Sequence, residues 1–346
     1  LRFINFGGVM AINKLSIEQF LELAAKHPVL DVRSPGEYQQ AHIPGAHSFP
    51  LFTDEERKVV GTAYKQQNRE TAVKIGLDYF GVKMRSMVEQ AETIARKDKT
   101  LLVHCWRGGM RSAGVAWLMD LYGFKVYTLA GGYKAYRQWV LQQFDRQWDL
   151  RILGGYTGSG KTEALQKLRP HIDLESIAVH RGSAFGDVEG KTQPRQEMFE
   201  NLLATELVKQ EGNTIWLEDE SQRIGLVNIP QPFWKQMRNA KVYFVDIPFE
   251  QRLEHIVKGY GKQQKPKLVN SIMRIQKRLG GLDTKNAVNY LLEDDIKGCF
   301  SILLKYYDKQ YSKALQERTA QQIQTIPCPT TDAVQVVTTL TEHLNN

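Results

Sequence analysis

Leu101-Leu102-Val103-His104-Cys105-Trp106-Arg107-Gly108-Gly109-Met110-Arg111-Ser112 sets the architecture of the first half of the chain. An apolar run leads into a loop with two glycines, and Val115, Leu118, Met119 and Tyr122 then recur at helical spacing. A buried strand that hands over to a helix through a short loop is one unit of a parallel sheet. The same reading extends outward. Pro28 to Val32 reads as another buried strand and Val126 to Leu129 as a third, each followed by glycine or a helical stretch. Residues 134–148 form an amphipathic stretch. The expected class is α/β, a mostly parallel sheet covered on both faces.

The loop between strand and helix also carries chemistry. Its backbone N–H groups and the positive end of the following helix converge on one point. Cys105 would ionise more readily there, with Arg107 and Arg111 nearby, as a nucleophilic thiol must. Gly108 and Gly109 permit the curl. Cys105, Arg107 and Arg111 are therefore the candidate catalytic residues. An inert buried cysteine is the plainer alternative, and two arginines with two glycines in seven residues weigh against it.

A second α/β unit opens at Arg151-Ile152-Leu153. It continues into Gly155-Tyr156-Thr157-Gly158-Ser159-Gly160-Lys161-Thr162, which fits GxxxxGK[ST] ahead of the helical stretch Glu163 to Leu168. Gly155, Gly158, Ser159 and Gly160 would turn amides toward a phosphate, Lys161 adds a point charge, and Thr162 could hold Mg²⁺. The motif implies a bound phosphate or diphosphate and does not require ATP or GTP. Thr214 to Leu217 and Val242 to Val245 supply two more strands. The first ends in Glu218-Asp219-Glu220, where Asp219 is expected to reach a metal or its waters; a solvated acidic turn is the equal alternative. From Gly259 onward no strand is expected, and Leu268 to Leu279, Ala287 to Leu315 and Asp332 to Leu344 read as helices. The expected domains are residues 10–148, residues 149–258 and a basic helical region, residues 259–346, packed with the second domain. Leu1 to Val9 lacks the features of a signal peptide and reads as an upstream remnant.

Composition narrows the classes. With 42% hydrophobic and 24% charged residues the chain is ordinary for a globular protein, which gives disordered, collagenous and fibrous readings little support. No apolar run approaches the ~18 residues of a membrane span. Cys105, Cys299 and Cys328 show no CxxC spacing, so a disulfide framework and a zinc site lack support and a reducing cytoplasm is expected. The 46 Lys and Arg against 38 Asp and Glu, a net charge of +8, suit a polyanionic partner. Between His255 and Leu282 lie Lys258, Lys262, Lys265, Lys267, Arg274, Lys277 and Arg278 with no acid, and with Tyr260 to stack a base. Ile272, Ile275 and Leu279 share one helix face, leaving the cations off it; the alternative is a merely solvated face. Lys65, in Tyr64-Lys65-Gln66, is a second candidate RNA contact.

Asp31-Val32-Arg33-Ser34-Pro35-Gly36-Glu37-Tyr38 and Ala41-His42-Ile43-Pro44-Gly45-Ala46 resemble the rhodanese signature, and Leu129-Ala130-Gly131-Gly132-Tyr133 resembles its closing turn. Ala41 stands where the signature has glycine. The resemblance implies a rhodanese-like parallel-sheet domain, with Asp31, Arg33 and Glu37 as structural ion-pairing residues and His42 as a packing residue. The loop also matches the HCx5R pattern of cysteine phosphatases. A phosphatase of rhodanese fold fused to a nucleotide-binding, kinase-like domain thus stays open, as does a non-catalytic RNA-binding regulator.

From Met10 on, the whole chain resembles the tRNA 2-selenouridine synthase family. The resemblance is carried by Gly61-Thr62-Ala63-Tyr64-Lys65-Gln66-Gln67, the Cys105 loop, Gly131 to Ala135, Gly155 to Thr162, His180 to Gly186, Phe199 to Ala204 and Leu217 to Ser221. It implies replacement of sulfur by selenium at the wobble 2-thiouridine of tRNA, through an S-geranyl intermediate, with geranyl diphosphate and selenophosphate as co-substrates. A selenophosphate-supplying enzyme becomes a candidate partner, and no membrane is involved. Under that resemblance the phosphate loop would hold the departing diphosphate, or a nucleotide, and Cys105 would carry or activate selenium.

Overall fold

The computed structural model describes residues 13–180, 191–260 and 265–345. Leu1 to Val9, Arg181 to Gly186 of the quoted family segment, Lys262 and the side chain of Tyr260 lie outside the described residues. The chain divides into two compact units, Leu1–Gln142 and Gln143–Asn346.

In the first unit β1 (Asn13–Leu15), β2 (Val29–Asp31), β3 (His47–Ser48), β4 (Thr100–His104) and β5 (Lys125–Leu129) form a parallel sheet in the order β1-β5-β4-β2-β3. Leu30, Leu101 and Val103 are fully buried, which is why these short apolar runs stay as central strands. Asp31 lies opposite His104, so β2 and β4 end together, at the edge of a parallel sheet where loops build sites. Helix Met110–Tyr122 packs Val115, Ala116, Leu118 and Met119 inward and stops at Gly123, whose φ of 108° is left-handed. Between β3 and β4 stand three helices, Asp54–Gln66, Arg69–Gly81 and Met84–Ala95, beyond those that the sequence pattern predicts. Phe52, Phe80, Met87 and Ala91 join them to the core around Leu30 and Phe49.

The second unit has its own parallel sheet. Its strands are β6 (Leu150–Gly155), β7 (Ile215–Glu218), β10 (Lys241–Asp246) and β11 (Ile323–Pro327), in the order β11-β10-β6-β7. A two-residue hairpin, β8 (Arg223–Ile224) with β9 (Val227–Asn228), stands apart. The strand β11 corrects the expectation that strands cease after Gly259. Only Ile326 of it is buried, so its apolar signal is weak, and pairing of its whole length with Val242–Asp246 of β10 makes it a strand.

The expected helix Ala287 to Leu315 is likewise two, Gly281–Leu292 and Ile296–Leu315. Asp294 takes φ 63°, and the Asp295 carboxylate caps the second helix by accepting from the Gly298 N–H at 2.7 Å. Helix Lys265–Leu279 buries Leu268, Ile272 and Leu279 as its periodicity predicts, against Leu253, Phe300 and Leu303. Helix Ala333–Asn345 packs Val336 and Leu340 on Leu153, Val245 and Ile326. Among the described residues no helix is long and apolar enough to cross a membrane.

Candidate active site: a thiolate cradle and a phosphate loop

Cys105 follows β4 directly and is 3% exposed. Its Sγ accepts from the Gly109 N–H at 3.3 Å and lies 3.2 Å from the Ser112 hydroxyl. Burial raises the thiol pKa, but the Ser112 hydroxyl and N–H, the Arg111 charge and the Gly109 N–H outweigh it and hold the thiol below its ordinary value. The loop owes its shape to the turn after β5. Tyr133 N–H donates to Cys105 O at 2.8 Å and Lys134 N–H to Trp106 O at 3.0 Å. Gly132 has φ 60°, and a Cβ there would lie 2.4 Å from Cys105 O and from Gly108 N.

Arg111 is fixed. Its guanidinium donates to Glu37 Oε2 at 2.8 Å, and Arg57 donates to the same oxygen at 3.0 Å. Burial works to raise the Glu37 pKa, yet the bond and charge of Arg111, the Ser34 N–H and Arg57 bring it down to about 2. Arg107 is exposed and makes no ion pair among the described residues, so the structure joins Arg111 to the thiol and leaves Arg107 free at the rim. Beneath the loop, Arg33 makes a buried pair with Asp31, donates to Ala41 O at 2.7 Å and stacks 3.8 Å over the Tyr133 ring. Ala41 has φ −172°, extended backbone that any residue adopts, which is why glycine is dispensable there. His42 stacks on Tyr38 at 3.9 Å. His104 is fully buried, and burial, outweighing Asp31 at 3.7 Å, lowers its pKa and keeps it neutral.

In the second unit Gly158 and Gly160 take φ of 82° and 69°, and a Cβ on either would come within 2.9 Å of a backbone oxygen, of Arg252 or of Thr331. Ser159 is buried. Arg252 fastens the loop to helix Ile296–Leu315 by donating to Thr157 O at 3.0 Å and to both Asp308 oxygens, at 2.9 and 2.8 Å. Lys161 Nζ folds back to donate to Gly155 O at 3.0 Å, and lies 3.6 Å from Glu218. A phosphate in the loop would take over that ammonium.

The acid beside this loop is not the expected one. Thr162 Oγ1 donates to Glu218 Oε2 at 3.0 Å. Asp219 instead accepts from Arg318 at 2.7 Å and from the Tyr311 hydroxyl at 2.7 Å, with Arg238 at 3.9 Å. Both its oxygens are thus engaged away from Thr162. A strand turns successive side chains to opposite faces, so only one of the two acids can meet the phosphate loop. Carboxylate oxygens of Glu175, Glu218 and Glu220 lie within 4.8 Å of one another. Burial pushes the pKa of Glu218 up against the pull of Lys161 and Thr162, and burial together with Glu218 pushes Glu220 up further. Such crowded carboxyls suit a divalent cation. Glu175 lies far back in sequence, and no motif pointed to it.

The basic segment is mostly exposed. Lys258, Arg274, Lys277 and Arg278 are exposed and Lys267 is half-buried. Lys265 pairs with Asp294 at 2.6 Å, an acid that the composition of residues 255–282 could not reveal. Lys65 is exposed near the end of helix Asp54–Gln66.

Fold and site together define a rhodanese-like thiol domain joined to a P-loop domain. Residues 16–138 match the rhodanese-like domain, and residues 148–344 match the tRNA 2-selenouridine synthase AAA domain. A tRNA 2-selenouridine synthase of Shewanella piezotolerans is 33% identical, over 89% of this chain and 94% of that protein. One of Nitrosomonas europaea is 39% identical over 68% and 64%, and one of Pseudomonas putida 35% over 73% and 75%. The chain belongs to the tRNA 2-selenouridine synthase family and is an enzyme with the activity for which that family is named.

Proposed function

We propose that the enzyme converts wobble 2-thiouridine of tRNA to 2-selenouridine in two steps, one served by each chemical loop. In the first, the thiouridine sulfur attacks C1 of geranyl diphosphate; the C–O bond breaks and diphosphate leaves with the electron pair, while the base gives up its N3 proton. The amides of Gly158 to Lys161 and the Lys161 ammonium stabilise that leaving group, which needs no side-chain nucleophile. Glu218, Glu220 and Glu175 would hold Mg²⁺, which when bound supplies charge neutralisation for the diphosphate. Asp219, tied to Arg318 and Tyr311, serves the loop as a positioning residue.

In the second step the Cys105 thiolate attacks phosphorus of selenophosphate, the P–Se bond breaks, and selenide leaves with the electron pair. Selenide adds to C2 of the S-geranyl base, and the C–S bond breaks to release geranyl thiol, which takes the remaining proton. Water then hydrolyses the phosphocysteine to phosphate and free thiol. The loop amides and Arg111 hold the phosphoryl oxygens, with Arg107 at the rim. The carrying observation is the lowered thiol, bonded by Gly109 and Ser112 in a cradle fit for a phosphoryl group.

In this reading residues 10–148 serve the selenium step and residues 149–258 the phosphate step. Lys65, Lys258 and the exposed cations of residues 265–345 bind tRNA. Three free thiols accord with a cytoplasmic setting, alongside the enzyme that supplies selenophosphate. Purified protein with 2-thiouridine tRNA, geranyl diphosphate and selenophosphate should yield S-geranyl-2-thiouridine and then 2-selenouridine by nucleoside mass spectrometry. Phosphate release from aryl phosphates without either nucleoside would favour the phosphatase reading.

A further inference from the structure

The first unit contains a cavity of about 810 Å³, walled by helices Asp54–Gln66, Arg69–Gly81 and Met110–Tyr122. This is within the ~300–1,000 Å³ of small-molecule sites. Phe52, Val73 and Phe80 make its floor, and Leu77, Met110 and Trp117 stand at its edge with 56%, 52% and 37% of their surface exposed. Apolar side chains gathered in the open around a hollow mark a surface that something covers.

Each wall helix contributes a glycine to the cavity: Gly61, Gly76 and Gly114. Glycine is a poor helix former, so three at one hollow point to space being kept. At Gly61 a Cβ would meet nothing within 4 Å, which excludes close packing as the reason there. The charged residues of the lining are all cations. Lys58 and Lys65 are exposed and unpaired among the described residues, and Arg57 and Arg111 share Glu37. An apolar hollow with a basic rim fits a short hydrocarbon chain joined to a phosphate-bearing group. Arg111 belongs both to this wall and to the Cys105 cradle, so the attached end of the chain would lie beside the thiolate.

We propose that this cavity is the subsite for the geranyl chain, with Lys58 and Lys65 meeting the phosphate oxygens next to it. The identity of the chain rests on the two-step route above. Because the phosphate loop holds the diphosphate before transfer, the chain in this cavity is the one the tRNA carries after it, and the phosphate oxygens are those of the RNA backbone.

The test measures binding of two probes to the full-length enzyme: unreactive geranyl thiodiphosphate, and an anticodon stem-loop with S-geranyl-2-thiouridine, compared with its 2-thiouridine counterpart. Wild type should prefer the geranylated RNA. Gly61→Leu and, independently, Val73→Trp should weaken that RNA by about tenfold or more while leaving the 2-thiouridine RNA unchanged. Lys58→Ala with Lys65→Ala should weaken both RNAs; a loss confined to the thiodiphosphate would instead give the diphosphate to this rim and contradict its assignment to the phosphate loop, and an effect on neither removes the rim from the proposal. Wild type without preference for the geranylated RNA would overturn the route and the subsite together. Preference retained in both folded, cavity-filling variants would overturn the subsite alone.

Discussion

The Glu37 carboxylate holds the Arg111 guanidinium at 2.8 Å, joining the helix that follows β2 to the first turn of the helix that follows Cys105. The rhodanese-like signature and the thiol loop are distant in sequence, and this pair sets the charge beside the thiol. Its pKa, brought from 4.5 to about 2, makes the pair a source of pH dependence. The unfolded chain takes up the Glu37 proton first, so this stability is present above pH 4.5 and is lost as pH falls toward about 2. Glu37→Gln should cost about 1–3 kcal/mol at pH 7 and progressively less in acid. Thermal unfolding of both proteins between pH 7 and pH 3 checks it, and a difference that does not shrink with falling pH would contradict the assignment.

Ser112→Ala removes a hydrogen bond to the thiolate, so the Cys105 pKa should rise. The thiolate fraction at neutral pH falls, and the acid limb of the pH–rate profile for 2-selenouridine formation moves to higher pH. Alkylation of Cys105 by iodoacetamide should shift in the same direction. A profile unchanged in position would leave Ser112 as packing alone.

Lys161→Ala with Thr162→Ala should reduce geranylation by about a hundredfold, as loss of leaving-group stabilisation does, and 2-selenouridine should fall with it. Supplying tRNA already S-geranylated should restore much of the selenation. If it does not, the phosphate loop serves selenophosphate or a nucleotide.

Reversing Lys258, Lys277 and Arg278 to Glu should weaken tRNA binding and flatten its salt dependence, each lost phosphate contact removing ~0.7–0.9 from the log–log slope. Lys265→Ala should change the slope less, because Asp294 already holds that ammonium. Titrations at several salt concentrations compare the two; an unchanged slope in the triple variant moves the RNA surface to the region of Lys65.

The central strands of both sheets were legible from short apolar runs, because strands buried on both faces need little else; β1 and β3, neither of them buried, were not. Cys105 and the phosphate loop were legible because their chemistry demands glycines at fixed spacing. What stayed hidden depends on partners distant in sequence. Ile323–Pro327 is a strand by virtue of β10, and Asp294 breaks a helix whose apolar period runs on. Glu218 and Asp219 are adjacent acids whose roles are exchanged by the direction each faces, which Thr162 on one side and Arg318 on the other decide. The cavity is lined in part by the family segment Gly61 to Gln67 and by Met110 and Arg111 of the thiol loop, but the rest of its walls carry no motif, so the hollow itself left no local signal.

The central claim is that the two steps separate at Cys105. Geranylation uses sulfur already on the tRNA, whereas releasing selenium from phosphorus needs the thiolate. The decisive measurement is nucleoside analysis of tRNA treated with the Cys105→Ala enzyme, geranyl diphosphate and selenophosphate, with Cys105→Ser alongside. The account predicts that S-geranyl-2-thiouridine accumulates while 2-selenouridine is lost in both, since a hydroxyl in that cradle stays protonated near neutral pH. Abundant 2-selenouridine from Cys105→Ala would contradict it, as would loss of both nucleosides from a folded variant.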